Sequence, residues 1–243
     1  MSGAFFLSAL SFSQMTIAQG ENGMPTNART RLKICCISTS SEAALAVACG
    51  ADAVGLVAHM PSGPGVIEDD LILNIARHVP PPVSTWLLTS RTSANDIVEH
   101  ALTCGTNTLQ IVSPIDPGEY QELRLNLPAS TRIVQVVHVE DEYSLEIAQE
   151  YSGVADAVLL DSGSPSQNEL GGTGRTHNWD LSRHIVNKLD IPVFLAGGLT
   201  PQNVIEAIEL VRPYGVDVCT GVRVDGRLNR TKLSEFAAAI ACT

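Results

Sequence analysis

Two side chains of this chain stand at the ends of apolar runs and are of types that move protons. Cys35 lies within Leu32-Lys33-Ile34-Cys35-Cys36-Ile37, and Asp161 follows Ala157-Val158-Leu159-Leu160. A thiol with a pKa near ~8.5 becomes a base only where positive potential draws off its proton. A carboxyl acts as an acid near neutrality only where burial or nearby negative charge keeps it protonated. Plainer roles compete: a cysteine in an apolar strand is commonly a packed small hydrophobe, and an Asp after a strand is commonly a loop or cap residue. A second chemistry, anion binding, is suggested by Gly197-Gly198 and Thr220-Gly221. Glycine lets backbone N–H groups approach a phosphate without obstruction by Cβ.

Positioning such groups requires a scaffold, and the alternation of the sequence describes one. Short apolar, β-branched runs begin near Leu32, Ala53, Val83, Thr108, Ile133, Ala157, Val193 and Val216. Between them, 42–49, 69–77, 94–102, 119–125, 142–151, 181–188, 203–210 and 232–240 carry apolar residues at three- and four-residue spacing, as helices do. Ser41, Ser93 and Thr200-Pro201 are expected at helix starts, and Cys49-Gly50 and Cys104-Gly105 at helix ends. Eight strand–helix units without a G-x-G-x-x-G loop after the first strand predict an α/β fold, a single (β/α)8 TIM barrel, over an open doubly wound sheet. Strands distant in sequence then end on one face, so Cys35 and Asp161 can flank one substrate.

The chain has 243 residues, the usual size of such a barrel. Residues 1–30, rich in Ser, Gln, Asn, Gly and Thr, are expected to be a mobile N-terminal extension, with Met24 a candidate start, and 31–243 to be the barrel. The run Ala4 to Leu10 has no preceding Lys or Arg and is too short for a secretory signal or a membrane span. A formal net charge of -11 argues against nucleic acid and anionic lipid as partners and leaves a small phosphorylated molecule as the expected one. Cysteines at 35, 36, 49, 104, 219 and 242 form no C-x-x-C pair. We therefore expect reduced thiols, a cytoplasmic location, no metal and no cofactor.

Five segments in register resemble the phosphoribosylanthranilate isomerase family. They are Lys33-Ile34-Cys35, Leu159-Leu160-Asp161, Gly171-Gly172-Thr173-Gly174 followed by Trp179, Leu195 to Val204, and Gly215 to Val222. The resemblance implies a barrel enzyme of tryptophan biosynthesis. Its reaction is an Amadori rearrangement, in which a phosphoribosylamine opens and loses a proton from C2 to give an aminoketose. It also implies Cys35 as base, Asp161 as acid, phosphate bound by Gly197, Gly198, Thr220 and Gly221, a substrate-covering loop at Gly172, Thr173 and Gly174, and Gln110 and Asp217 in the pocket.

The sequence also departs from that family. Where the family carries S-P-R, whose Arg meets the anthranilate carboxylate, this chain has Ser62-Gly63-Pro64-Gly65. Proline offers no donor, so Arg91 or His59 would have to take that place. Val112 stands for the His of the fourth strand, Cys36 for the Gly after the catalytic Cys, and Arg223 for a Glu after the last strand. Strand alternation predicts that Cys36 points away from Cys35 and packs beneath a helix. The leading expectation is phosphoribosylanthranilate isomerase activity, even a weak one. The alternatives are an isomerase of another phosphorylated aminosugar and a barrel that binds a phosphorylated ligand without turnover.

Overall fold

The computed structural model describes residues 29–162 and 177–241. Eight parallel strands close into a barrel in sequence order. They are β1 (Arg31–Ile34), β2 (Ala53–Val57), β3 (Ser84–Thr89), β4 (Thr108–Ile111), β5 (Arg132–His138), β6 (Ala157–Asp161), β7 (Val193–Leu195) and β8 (Gly215–Val218). The helices are α1 (Ser40–Ala48), α2 (Asp69–His78), α3 (Ala94–Cys104), α4 (Glu119–Asn126), α5 (Tyr143–Ser152), α6 (Trp179–Lys188), α7 (Val204–Val211) and α8 (Arg230–Ala241). A short hairpin of β9 (Arg223–Val224) and β10 (Arg227–Leu228) precedes α8. Among the described residues no helix is long and apolar enough to cross a membrane. The predicted (β/α)8 barrel is the observed fold.

Strand alternation divides the core into two layers. Leu32 and Ile34, Val54 and Leu56, and Val158 and Leu160 belong to the shell between strands and helices. Ala53, Val57, Trp86, Leu88, Ala157 and Leu159 fill the barrel interior. Lys33, Gln110, Asp161 and Asp217 share the parity of these interior positions, so the period of two carries their side chains inward. The interior is thus apolar below and polar toward the carboxyl ends of the strands, where barrels hold their chemistry.

Helix ends follow local chemistry, with two corrections. Ser93 caps α3 by accepting from the Asp96 N–H, and Gly105 closes it at φ 62°. The cap of α1 is Thr39, which accepts from the Glu42 N–H, and not Ser41. Thr200-Pro201 does not start α7 directly. The helix begins at Val204, and Asn203 Oδ1 accepts from the Thr200 N–H at 2.8 Å. Asn203 Nδ2 also donates to the Gly198 carbonyl at 3.0 Å, so the residue before α7 fixes the loop after β7.

Candidate active site

A cavity of about 720 Å³, including its open mouth, lies at the carboxyl ends of the strands. Cys35, Gln110, Asp161, Gly197, Gly198, Asp217 and Thr220 line it together, although they come from five strands and their following loops. Gly221 is not in the lining. A Cβ there would lie 1.9 Å from the Leu199 carbonyl oxygen, so its glycine serves close packing of the loops after β7 and β8. Gly172, Thr173 and Gly174 lie outside the described residues.

Cys35 follows β1 and is held by its backbone: its N–H donates to Val218 of β8 at 2.9 Å and its carbonyl accepts from Arg223 at 3.3 Å. Beneath it, Lys33 Nζ meets Asp217 Oδ2 at 2.7 Å and lies 5.1 Å from the Trp86 ring centroid. Burial acts to lower the Lys33 pKa, but the charges of Asp217 and Cys35 outweigh it and hold the ammonium well above its ordinary value. Burial pushes the Asp217 carboxyl upward, with Lys33 pulling the other way. Asp217 Oδ1 and Gln110 Oε1 are buried and have no hydrogen-bond partner among the described residues. Two acceptors are therefore left for a ligand that brings donors.

Asp161 ends β6 and accepts from the Ser162 N–H at 2.7 Å. Two imidazoles stand near it. His138, its register partner on β5, is lowered in pKa by burial, with Asp161 opposing, and its Nε2 meets the Val112 carbonyl at 3.3 Å. His177 Nε2 meets Ser182 Oγ at 2.7 Å, and burial pushes its pKa down to about 4. Both rings are thus neutral near pH 7. The imidazole that the sequence lacks at Val112 is matched by one against the carbonyl of that same residue, from the adjacent strand.

Cys36 corrects the alternation argument. The strand ends at Ile34, and Cys36 takes φ 61°, so its side chain joins Cys35 in the barrel interior and lines the cavity. Cys219 lines the cavity beside it, and the two thiols shift each other's pKa in opposite directions. Interaction with Cys36 first, then the charge of Arg223, hold the Cys219 thiol below its ordinary value. Hydrogen bonding with Cys219 and Cys35, together with burial, pushes Cys36 well above its own. Arg223 is buried against Glu42, with Nη1 to Oε1 at 2.9 Å, and so answers the loss of a Glu at its own position by meeting one from α1.

The expected replacements for the missing Arg do not reach the cavity. The Arg91 guanidinium donates to the Asp96 carbonyl on α3 at 3.0 Å, and His59 lines a separate groove beside α2. Pro64 itself lines the cavity, with Ser62 and Gly63 beside it. Lys33 and Cys219 stand inside motif segments that assign them no role, and His138 and His177 stand outside every motif. His138 was the most accessible of these, since it ends an apolar strand on the catalytic face.

The two glycines after β7 take φ 84° at Gly197 and 63° at Gly198, a conformation that side chains with a Cβ rarely adopt. Among the described residues, the N–H groups of Gly197, Gly198 and Thr220 donate to no protein acceptor.

Comparison with known proteins places this arrangement. Residues 32–239 match the family N-(5'phosphoribosyl)anthranilate (PRA) isomerase. The N-(5'-phosphoribosyl)anthranilate isomerase of Methanocella arvoryzae is 35% identical over 215 residues, covering 88% of this chain and 99% of that protein. The enzyme of the same name from Haloferax volcanii is 38% identical over 198 residues, covering 81% and 86%. The crystal structure of phosphoribosyl anthranilate isomerase from Thermotoga maritima superposes with a TM-score of 0.76 at 27% identity, covering 88% of this chain and 100% of that one. A second crystal structure, of the isomerase in complex with reduced 1-(o-carboxyphenylamino)-1-deoxyribulose 5-phosphate, gives a TM-score of 0.73 at 26% identity, covering 88% and 100%. With most of its length matched and a relative above 30% identity spanned almost end to end, the chain belongs to the N-(5'-phosphoribosyl)anthranilate isomerase family.

Proposed function

We propose that this protein isomerises N-(5'-phosphoribosyl)anthranilate to the corresponding 1-amino-1-deoxyribulose phosphate, an Amadori rearrangement in tryptophan biosynthesis. The observation that carries the reading is the convergence of Cys35, Asp161 and the glycine loop after β7 on one cavity, within a chain of this family. Asp161 gives a proton to the ring oxygen as the C1–O bond breaks, and the nitrogen lone pair forms the iminium. Cys35, as thiolate, removes the proton from C2, and the electron pair left behind neutralises the iminium to give an enol amine that tautomerises to the ketone. The Lys33 ammonium and the Arg223 guanidinium are the positive charges set close to that thiol. Free N–H groups at Gly197, Gly198 and Thr220 suit the phosphate. Gln110 and Asp217 would accept from sugar hydroxyls or the substrate amine.

A reducing compartment, the cytoplasm, suits a base that works only as a free thiol, and the described cysteines are all free. Steady-state assay of the purified protein on the phosphoribosylamine, with Cys35→Ser as control, tests the reading. Turnover abolished by that substitution supports it, and no turnover above the Cys35→Ser background rejects it.

One observation favours a second reading. Pro64 lines the cavity where the family's carboxylate-binding Arg would stand, and neither Arg91 nor His59 replaces it. An isomerase for a phosphorylated aminosugar with an uncharged aglycone would need no cation there. Comparing kcat/KM on substrates with and without the carboxylate separates the two.

A further inference from the structure

On the outside of the barrel, away from the cavity, three metal-ligating side chains converge from two helices. Asp69 begins α2, and His100 and Cys104 stand four residues apart on α3, the spacing that puts both on one face. One carboxylate oxygen, one imidazole nitrogen and the thiol sulfur all lie within 4.8 Å of one another. The absence of C-x-x-C pairs conceals this set, because its third member comes from another helix. We propose that Asp69, His100 and Cys104 form a binding site for a borderline-soft divalent cation, zinc or cobalt, that ties α2 to α3.

The chemistry of the donors selects the ion. One thiolate, one imidazole and one carboxylate match zinc-type sites, whereas calcium and magnesium require oxygen ligands. Bond lengths of about 2.0–2.3 Å in a tetrahedron put ligand atoms about 3.3–3.7 Å apart. His100 Nε2 and Asp69 Oδ1 are already 3.1 Å apart, so closing the site on a cation needs only small side-chain shifts. His100 also has the outer partner that metal-bound imidazoles use. Its Nδ1 meets Thr89 Oγ1 at 2.9 Å, and a hydroxyl accepting from Nδ1–H leaves Nε2 free to ligate.

Access and charge agree with the proposal. His100 and Cys104 are buried, but the Asp69 side chain is 37% exposed. Asp69 opens onto a groove shared with His59, Glu68 and Asp70, so the cation has an entry and water can fill the fourth position. Glu68 and Asp70 add negative charge at this mouth, and Arg91 is the neighbouring cation. Because α2 directly follows the loop bearing Ser62, Gly63 and Pro64, a cation at Asp69 would also steady one wall of the cavity.

The test is titration of the full chain with cobalt(II), followed by zinc competition, in a Cys35→Ser/Cys36→Ser/Cys219→Ser background that removes the three cavity thiols. One equivalent of cobalt, with a thiolate charge-transfer band and tetrahedral ligand-field bands displaced by zinc, is the expected result. Cys104→Ser should abolish the charge-transfer band, and Asp69→Asn, at a partly exposed position, should weaken zinc binding at least ten-fold. Zinc should raise the Tm of the parent and leave that of Asp69→Asn unchanged. No stoichiometric binding, or unchanged spectra and affinity in Asp69→Asn, overturns the site.

Discussion

At the scale of single residues, the cavity is governed by where the chain stops being a strand. Because β1 ends at Ile34 and Cys36 enters the left-handed region, three thiols rather than one face the barrel mouth. Strand alternation cannot foretell this, since it holds only while the backbone stays extended. Cys35 and Asp161 were legible because their motifs sit at strand ends. If they act as base and acid, Cys35→Ala and Asp161→Asn lower kcat ~100- to 10,000-fold with far less change in KM. Steady-state kinetics beside product-binding calorimetry checks this, and near-normal kcat in both variants returns Cys35 to a packing role.

The glycines separate into two kinds that sequence alone treats alike. Gly221→Asp is a poor probe of the phosphate, because any Cβ there strikes the Leu199 carbonyl. Gly198 lines the cavity at φ 63°, a conformation Asp and Asn tolerate best among other residues. Gly198→Asp should therefore weaken binding of a phosphorylated product by an order of magnitude or more, and Gly198→Asn much less. Equal affinities in the two variants would place the anion elsewhere.

At the scale of elements, the helices and strands were readable from periodicity, but the contacts between elements were not. Glu42 of α1 and Arg223 of β9 are 181 residues apart, and no local pattern pairs them. Glu42 also accepts from the Ser38 N–H at 3.0 Å and the Leu228 N–H at 2.8 Å, so one carboxylate pins the loop after β1 to the terminal hairpin. Burial would raise its pKa, but Arg223 and these N–H groups outweigh it and hold the carboxyl below its ordinary value. A depressed folded pKa gives stability that is present above the unfolded value, about 4.3 for Glu, and lost as pH falls through the folded value. Glu42→Gln should accordingly lower stability at pH 7 and flatten the loss of stability on acidification below about pH 4.3. Urea denaturation across pH 3–7 measures it, and parallel acid limbs in both proteins refute the assignment.

At the scale of the molecule, the folded unit reaches slightly farther than the sequence boundary at Arg31. Arg29 donates to Asp52 at 2.9 Å, which ties the chain before β1 to the turn before β2. Deleting the residues before Met24 keeps that pair, so the shortened protein should retain a single cooperative thermal transition at unchanged Tm. A Tm lowered by several degrees would mean that the removed segment packs on the barrel.

Barrel closure rests on β1 meeting β8, the longest sequence separation among the strand pairs, and Lys33 is opposite Asp217 in that register. Their 2.7 Å contact is buried, with Lys33 wholly so. Replacing a buried pair by apolar groups can be neutral, but removing one member leaves an uncompensated charge and costs about 3–5 kcal/mol. Lys33→Met should therefore destabilise the protein by about that amount near neutral pH. The deficit should shrink as pH falls. Asp217, already pushed upward by burial, rises further without Lys33, so the folded state then binds a proton that the unfolded state at the same pH does not. Chemical denaturation of Lys33→Met between pH 5 and 8 tests both parts. A loss below about 1 kcal/mol, or one that grows on acidification, would mean that the first and last strands are joined by their backbone ladder and apolar neighbours alone.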